Sequence, residues 1–221
     1  RHNLKIGTIA DLIRYRLQAE HLVERLEEAE IILDRTNAGW CSIVYESTVD
    51  GRQLMALVKG DLGAPGPVLC RMHSGSTLGD VFASPASEGG RNLFEAVDAI
   101  EAEGRGVIVY LPPHGDLRAE LVEITRRTKS SPLASPAPLD ARPHGGTLRE
   151  YGLGAQVLRE LSVHQIRLLT NNPRKIIGLE GYGLKVTQRV SSIIPPTKHN
   201  ARYLETKRDK MGHAIGGRVH H

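Results

Sequence analysis

Cysteine is almost missing from this sequence: Cys41 and Cys70 are the two it has, in no CxxC spacing and each inside an apolar, strand-like run. That placement argues against a disulfide-stapled scaffold, and both residues read as buried small hydrophobes in a reducing compartment. Aromatic residues are scarce as well. Trp40, two phenylalanines and six tyrosines leave the core to Leu, Ile, Val and Ala. No apolar run reaches the ~18 residues of a membrane-spanning helix, and the opening stretch, RHNLKIGTIADLIRYR, is charged every few positions with no signal-peptide core. The expectation is a cytoplasmic protein with no membrane partner.

What is present suits a folded domain. Of 221 residues 40% are hydrophobic and 24% charged, enough for one sizeable domain or a domain plus a fragment. The formal net charge of +4 suits phosphate-bearing ligands, but a solvated basic surface is a simpler reading than nucleic-acid binding. His220 and His221 read as a tag remnant and carry no functional argument.

Along the chain, Thr8 and Asp11 have capping-box spacing ahead of a helix over 9–20. Alternation then predicts strands at Glu27 to Leu33, Trp40 to Val49 and Gln53 to Val58, with Asp50-Gly51 as a two-residue hairpin turn in an antiparallel sheet. After a Gly/Pro loop, Pro67 to Met72 returns as a strand and delivers Arg71 to a polar stretch holding His73, Ser74, Ser76 and Ser87. A helix follows from about Arg91 to Glu103, stopped by Gly104, then a strand at Val107 to Leu111 and a helix carrying Leu117, Leu121 and Ile124. Ser130 to Gly146 holds four of the twelve prolines and reads as loop or linker. Beyond it come a helix with Leu153, Val157, Leu158 and Leu161, a strand at Ile166 to Leu169, a short helix from Pro173 to Leu179 capped by Asn172, and a strand at Leu184 to Val190. A basic helix over 200–212 closes the series, and the fold class is α+β.

Several segments together resemble one family: Arg71-Met72-His73-Ser74, Gly79-Asp80-Val81-Phe82, Glu103-Gly104-Arg105-Gly106-Val107, Tyr151-Gly152-Leu153-Gly154-Ala155-Gln156, Leu168-Leu169-Thr170-Asn171-Asn172-Pro173-Arg174-Lys175 and Tyr203-Leu204-Glu205-Thr206-Lys207. The family is GTP cyclohydrolase II, a zinc enzyme that opens the guanine ring of GTP at the entry to riboflavin synthesis. The likeness runs in family order over about 24–215. Residues 1–23 resemble the C-terminal end of 3,4-dihydroxy-2-butanone-4-phosphate synthase, a domain often fused ahead of it, and 216–221 form a tail. The resemblance implies mixed sheets with flanking helices, a homodimer, and a fused or associated synthase domain.

The resemblance also exposes departures. The family holds its zinc with three thiolates spaced C-x10-C-x-C, leaving one position open for water. Those seats fall on Ser76, Ser87 and Gly89, two poor ligands and none, so no cofactor is expected. Pro113-His114-Gly115-Asp116 stands where a GTP-contacting segment lies, Thr147 replaces the acidic general base two residues before Arg149, and Asn92 replaces a glutamine. Arg149 matches the family's proposed covalent nucleophile and is the one catalytic candidate kept. The phosphate-facing set survives: Arg71, His73, Ser74, Thr170 and Lys175 are the expected substrate-binding residues, for GTP or another phosphorylated small molecule.

A rebuilt metal site from His73 with Glu88, or from His114 and His144, has no supporting spacing. Three functions remain open: a zinc-free domain acting as a phosphate-binding or regulatory partner of a synthase, a metal-free nucleotide-processing enzyme using Arg149, and a structural dimerisation module.

Overall fold

The computed structural model describes residues 15, 20–84, 87, 89–113, 117–129, 144–171, 179 and 182–191, with backbone alone for 123, 126–129 and 144–149. Seven strands form one sheet in the order β1-β2-β3-β5-β4-β6-β7. The strands are β1 (Val23–Leu33), β2 (Ala38–Ser47), β3 (Gln53–Lys59), β4 (Val68–Ser74), β5 (Gly106–Leu111), β6 (Gln165–Leu169) and β7 (Lys185–Val190). Three helices are described, α1 (Gly89–Glu103), α2 (Leu117–Lys129) and α3 (His144–Glu160), with a π-helical turn at Thr77–Val81.

The sheet has two halves with different grammar. β1, β2 and β3 form an antiparallel meander, whereas β5, β4, β6 and β7 run parallel to one another. The antiparallel pairing of β3 with β5, from Met55↔Tyr110 to Lys59↔Gly106, joins them. The expected mixed sheets are therefore one continuous mixed sheet. That junction lies between strands far apart in sequence, where local alternation carries no pairing information.

Alternation decides which face each strand residue covers. Val68, Cys70 and Met72 of β4, with Val107 and Val109 of β5, pack against Leu153, Val157 and Leu158 of α3. On the opposite face Leu69 and Ile108 pack with Trp40 and with Ala96, Val97 and Ile100 of α1. α3 approaches its face closely, since a Cβ on Gly154 would collide with Met72.

Local expectations hold with adjusted edges. The Asp50-Gly51 turn is longer than the expected two residues: β2 ends at Ser47, β3 begins at Gln53, and the connection closes through Ser47 N–H to Arg52 O at 2.7 Å with Gly51 at φ 66. The meander also starts earlier than Glu27, at Val23. Gly104, at φ 72, ends α1 as expected. The stretch read as loop up to Gly146 gives way to α3 at His144. Cys70 is buried, but Cys41 is half-exposed and its thiol lies 3.0 Å from Glu28 Oε1 rather than in the core.

Leu22 and Glu20, assigned above to the leading segment, are tied to α3: Leu22 N–H donates to Gln156 Oε1 at 2.5 Å, and Gln156 Nε2 donates to Glu20 O at 2.7 Å. Of the leading helix, Tyr15 is described and helical; of the short helix near 173–179, Leu179 is. The basic helix over 200–212 lies outside the described residues. Among the described residues no helix is long and apolar enough to cross a membrane.

Candidate functional site

A parallel sheet concentrates ligand sites where neighbouring strands send their chains to opposite faces, at the carboxyl ends. Here that point lies between β4 and β6. The chain leaving β4 goes to α1 on one face, and the segment after β6 packs Leu179 into the α3 face. Arg71 spans this crevice: its Nη1 donates to Leu169 O at 2.9 Å, across the strand pair. Thr170 follows, buried, with its N–H donating to Val190 O at 3.0 Å.

Arg71 is an interior arginine. Burial lowers its pKa from the usual arginine value, and its Nε has no hydrogen-bond partner among the described residues. An unpaired buried N–H costs desolvation free energy, which an acceptor placed there would offset.

Two residues on, His73 shares the α1-side face of β4 and stacks on its register partner Tyr110 of β5, with ring centroids 5.5 Å apart. Its Nε2 lies 3.0 Å from Asp80 Oδ2, and the two side chains are 2% and 5% exposed. Asp80 Oδ2 also accepts from Ser76 N–H at 2.9 Å and from the Tyr110 hydroxyl at 3.1 Å. Burial alone would raise the Asp80 pKa, but His73, the Ser76 amide and Tyr110 outweigh it and hold the carboxyl below the usual aspartate value. The same contact works in reverse on Tyr110: burial, then the Asp80 charge, push its phenol up to about 12. Asp80 Oδ1 is buried and has no partner among the described residues.

The polar stretch after β4 folds back on itself. Ser76 caps the π-helical turn with an extended backbone, φ −142 and ψ 116, and its Oγ accepts from Gly79 N–H at 2.9 Å. Glu120, in the first turn of α2, accepts from Ser76 Oγ at 2.6 Å, Leu78 N–H at 2.9 Å and Thr77 N–H at 3.3 Å. Ser87 Oγ accepts from Gly89 N–H at 3.2 Å. The seats at Ser76, Ser87 and Gly89 do converge. A Cβ on Gly89 would sit 3.3 Å from Ser87 Oγ, 3.5 Å from Ser76 Cβ and 2.5 Å from Asp80 Oδ1. Gly79 is equally confined, because a Cβ there would collide with Ser87 Oγ.

The remaining candidates are distributed unevenly. Ser74 ends β4 exposed, next to this cluster. Arg149 lies in α3, two residues before the buried Tyr151, and its side chain is outside the described set. Lys175, His114 and Glu88 lie outside the described residues. The sequence reading missed Tyr110 and Glu120 as members of this cluster and quoted Asp80 only as part of a motif. Their signals were an acid seven residues after His73, a tyrosine at a strand end, and an acid in a helix's first turn. Among the described residues no three His, Cys, Asp or Glu side chains are grouped so as to hold a metal ion.

The family model described as GTP cyclohydrolase II matches residues 25–191. A probable bifunctional riboflavin biosynthesis protein of Oryza sativa subsp. japonica chloroplasts is 44% identical over 98% of this chain and 39% of its own length. Riboflavin biosynthesis protein RibBA of Bacillus subtilis (strain 168) is 41% identical over 97% of this chain and 54% of its own length. The crystal structure of RibBX, a two-domain 3,4-dihydroxy-2-butanone 4-phosphate synthase from A. baumannii, superposes with a TM-score of 0.54 at 25% identity, over 87% of this chain and 47% of that one. The chain thus spans about half the length, or less, of the relatives it matches.

Proposed function

The chain belongs to the GTP cyclohydrolase II family, and from that premise we propose that it does not open GTP with zinc and serves riboflavin biosynthesis as a phosphate-binding, regulatory partner of a 3,4-dihydroxy-2-butanone-4-phosphate synthase domain. The observation that carries this reading is the state of the three converging seats. Zinc needs thiolate, imidazole or carboxylate donors held at bonding distance. Ser76 Oγ is engaged by Glu120 and by the Gly79 amide, Ser87 Oγ by the Gly89 amide, and Gly89 has no side chain. These residues do not fit the ion.

The phosphate-binding half of the proposal is supported by the crevice. Arg71 keeps its Nε available at the β4–β6 switch point, with Thr170 beside it at the end of β6. A buried guanidinium with spare donors is suited to the oxygens of a phosphate. The role beside a synthase is supported by the likeness to the two-domain synthase above, 47% of whose length this chain covers.

The test has two arms. Purified protein is incubated with GTP and zinc and assayed for formate, and thermal-shift titrations are run with GTP, pyrophosphate and ribulose 5-phosphate. The proposal predicts no formate and a stabilising shift from at least one anion, abolished by Arg71→Ala and by Lys175→Ala. Formate release would overturn the first half, and the absence of a shift from all three would overturn the second.

A further inference from the structure

We propose that Glu120 is a latch that fastens α2 onto the site loop and orders it where the family uses a metal ion. A metal bound by residues on both sides of a loop fixes that loop by linking its ends. Here one carboxylate supplies the link: it accepts three hydrogen bonds from Ser76, Thr77 and Leu78, three successive residues at the start of the π-helical turn. The Ser76 hydroxyl is the donor that a thiolate ligand at this seat would not provide, so the Ser76–Glu120 pair forms one unit.

Asp80 completes the arrangement from below. It accepts from Ser76 N–H and is held in turn by His73 and Tyr110 at the ends of β4 and β5. The loop is therefore clasped between Asp80, anchored to the sheet, and Glu120, carried by α2.

The hold on α2 is polar rather than hydrophobic. Leu117, Leu121 and Val122 remain more than half exposed, so apolar burial secures the first turns of this helix weakly. Hydrogen bonds to an ionised acceptor are stronger than neutral ones, and this set lies partly buried, where water competes less. Glu120 is thus a positioning residue: it decides whether α2 lies on the loop beside the Arg71 crevice or comes away from it.

This inference rests on the reading that no zinc sits in the loop, and the experiment separates the two. Amide hydrogen exchange is followed on the full chain for wild type, Glu120→Ala, Glu120→Gln and Ser76→Ala, with and without a zinc chelator. Glu120→Ala is expected to speed exchange at Thr77, Leu78 and the first turns of α2 by about tenfold or more, the factor that losing charge-assisted bonds implies. Amides of β4 and β5 should keep their wild-type protection. Glu120→Gln, whose amide oxygen still accepts, should fall between. Ser76→Ala should give a smaller increase at the same amides.

Unchanged exchange in Glu120→Ala, or a uniform rise across the sheet, would overturn the latch while leaving the zinc-free reading standing. Faster loop exchange on adding chelator to wild type would show a metal-held loop and overturn both.

Discussion

Replacing Asp80 with alanine removes the acceptor on which three donors from three elements converge. Nε2 of His73 at 3.0 Å, N–H of Ser76 at 2.9 Å and the hydroxyl of Tyr110 at 3.1 Å would all be left without it, in a site where the His73 and Asp80 side chains are almost fully buried. Each hydrogen bond to a charged acceptor contributes roughly 1.5–3 kcal/mol, but the three are not additive, because they share one carboxylate oxygen. Removing one partner of a buried pair costs about 3–5 kcal/mol, and that is the expected loss for Asp80→Ala. Urea unfolding should read it as a midpoint lowered by about 1–2 M.

The pH dependence fixes the mechanism. Asp80 titrates below the usual aspartate value of 3.8, so its contribution is fully present above that value and is lost as pH falls through the lower folded one. The stability gap between wild type and Asp80→Ala should be flat from neutral pH down to about pH 5 and close only below about pH 4. A loss under about 1 kcal/mol at neutral pH, or a gap that closes near pH 6, would refute the reasoning. The first would mean that solvent already serves the carboxylate, the second that burial rather than the three donors sets where Asp80 titrates.

Other substitutions test neighbouring parts of the account. Tyr110→Phe removes one donor to Asp80 and a hydroxyl pushed up to about 12, and should cost about 1–2 kcal/mol by the same unfolding assay. Gly106→Ala should cost about 2–3 kcal/mol, since the new methyl would sit 2.7 Å from Leu69 O and 2.8 Å from Ile100 Cγ1 and Cγ2. Thiol labelling of native protein should leave Cys70, buried and pushed up to about 12, unmodified until unfolding, while Cys41, half-exposed and pushed up to about 11, reacts slowly.

The elements that could be read from the sequence are those whose signal is local. Alternation in Gln53 to Val58 and the apolar spacing of Val97 and Ile100 need only near neighbours, and the resulting strand and helix stand at those places. The single sheet was not legible, because β3 finds β5 across the whole β4–α1 segment and no local pattern encodes that choice.

The site divides the same way. Arg71 and His73 were found because they end a strand that the sequence marks clearly, whereas Glu120 reaches Ser76 from 44 residues away. The convergence of Ser76, Ser87 and Gly89 was foreseen through family spacing alone. The pair of carboxylates there, Asp80 and Glu120 collecting amide and hydroxyl donors, became visible only in three dimensions.

The central claim, that the converged seats hold no zinc, is tested most directly by metal analysis of protein produced with zinc supplied and then purified without chelator. The account predicts zinc far below one ion per chain, unchanged by Ser76→Ala. One zinc per chain, lost in Ser76→Ala or Ser87→Ala, would contradict it.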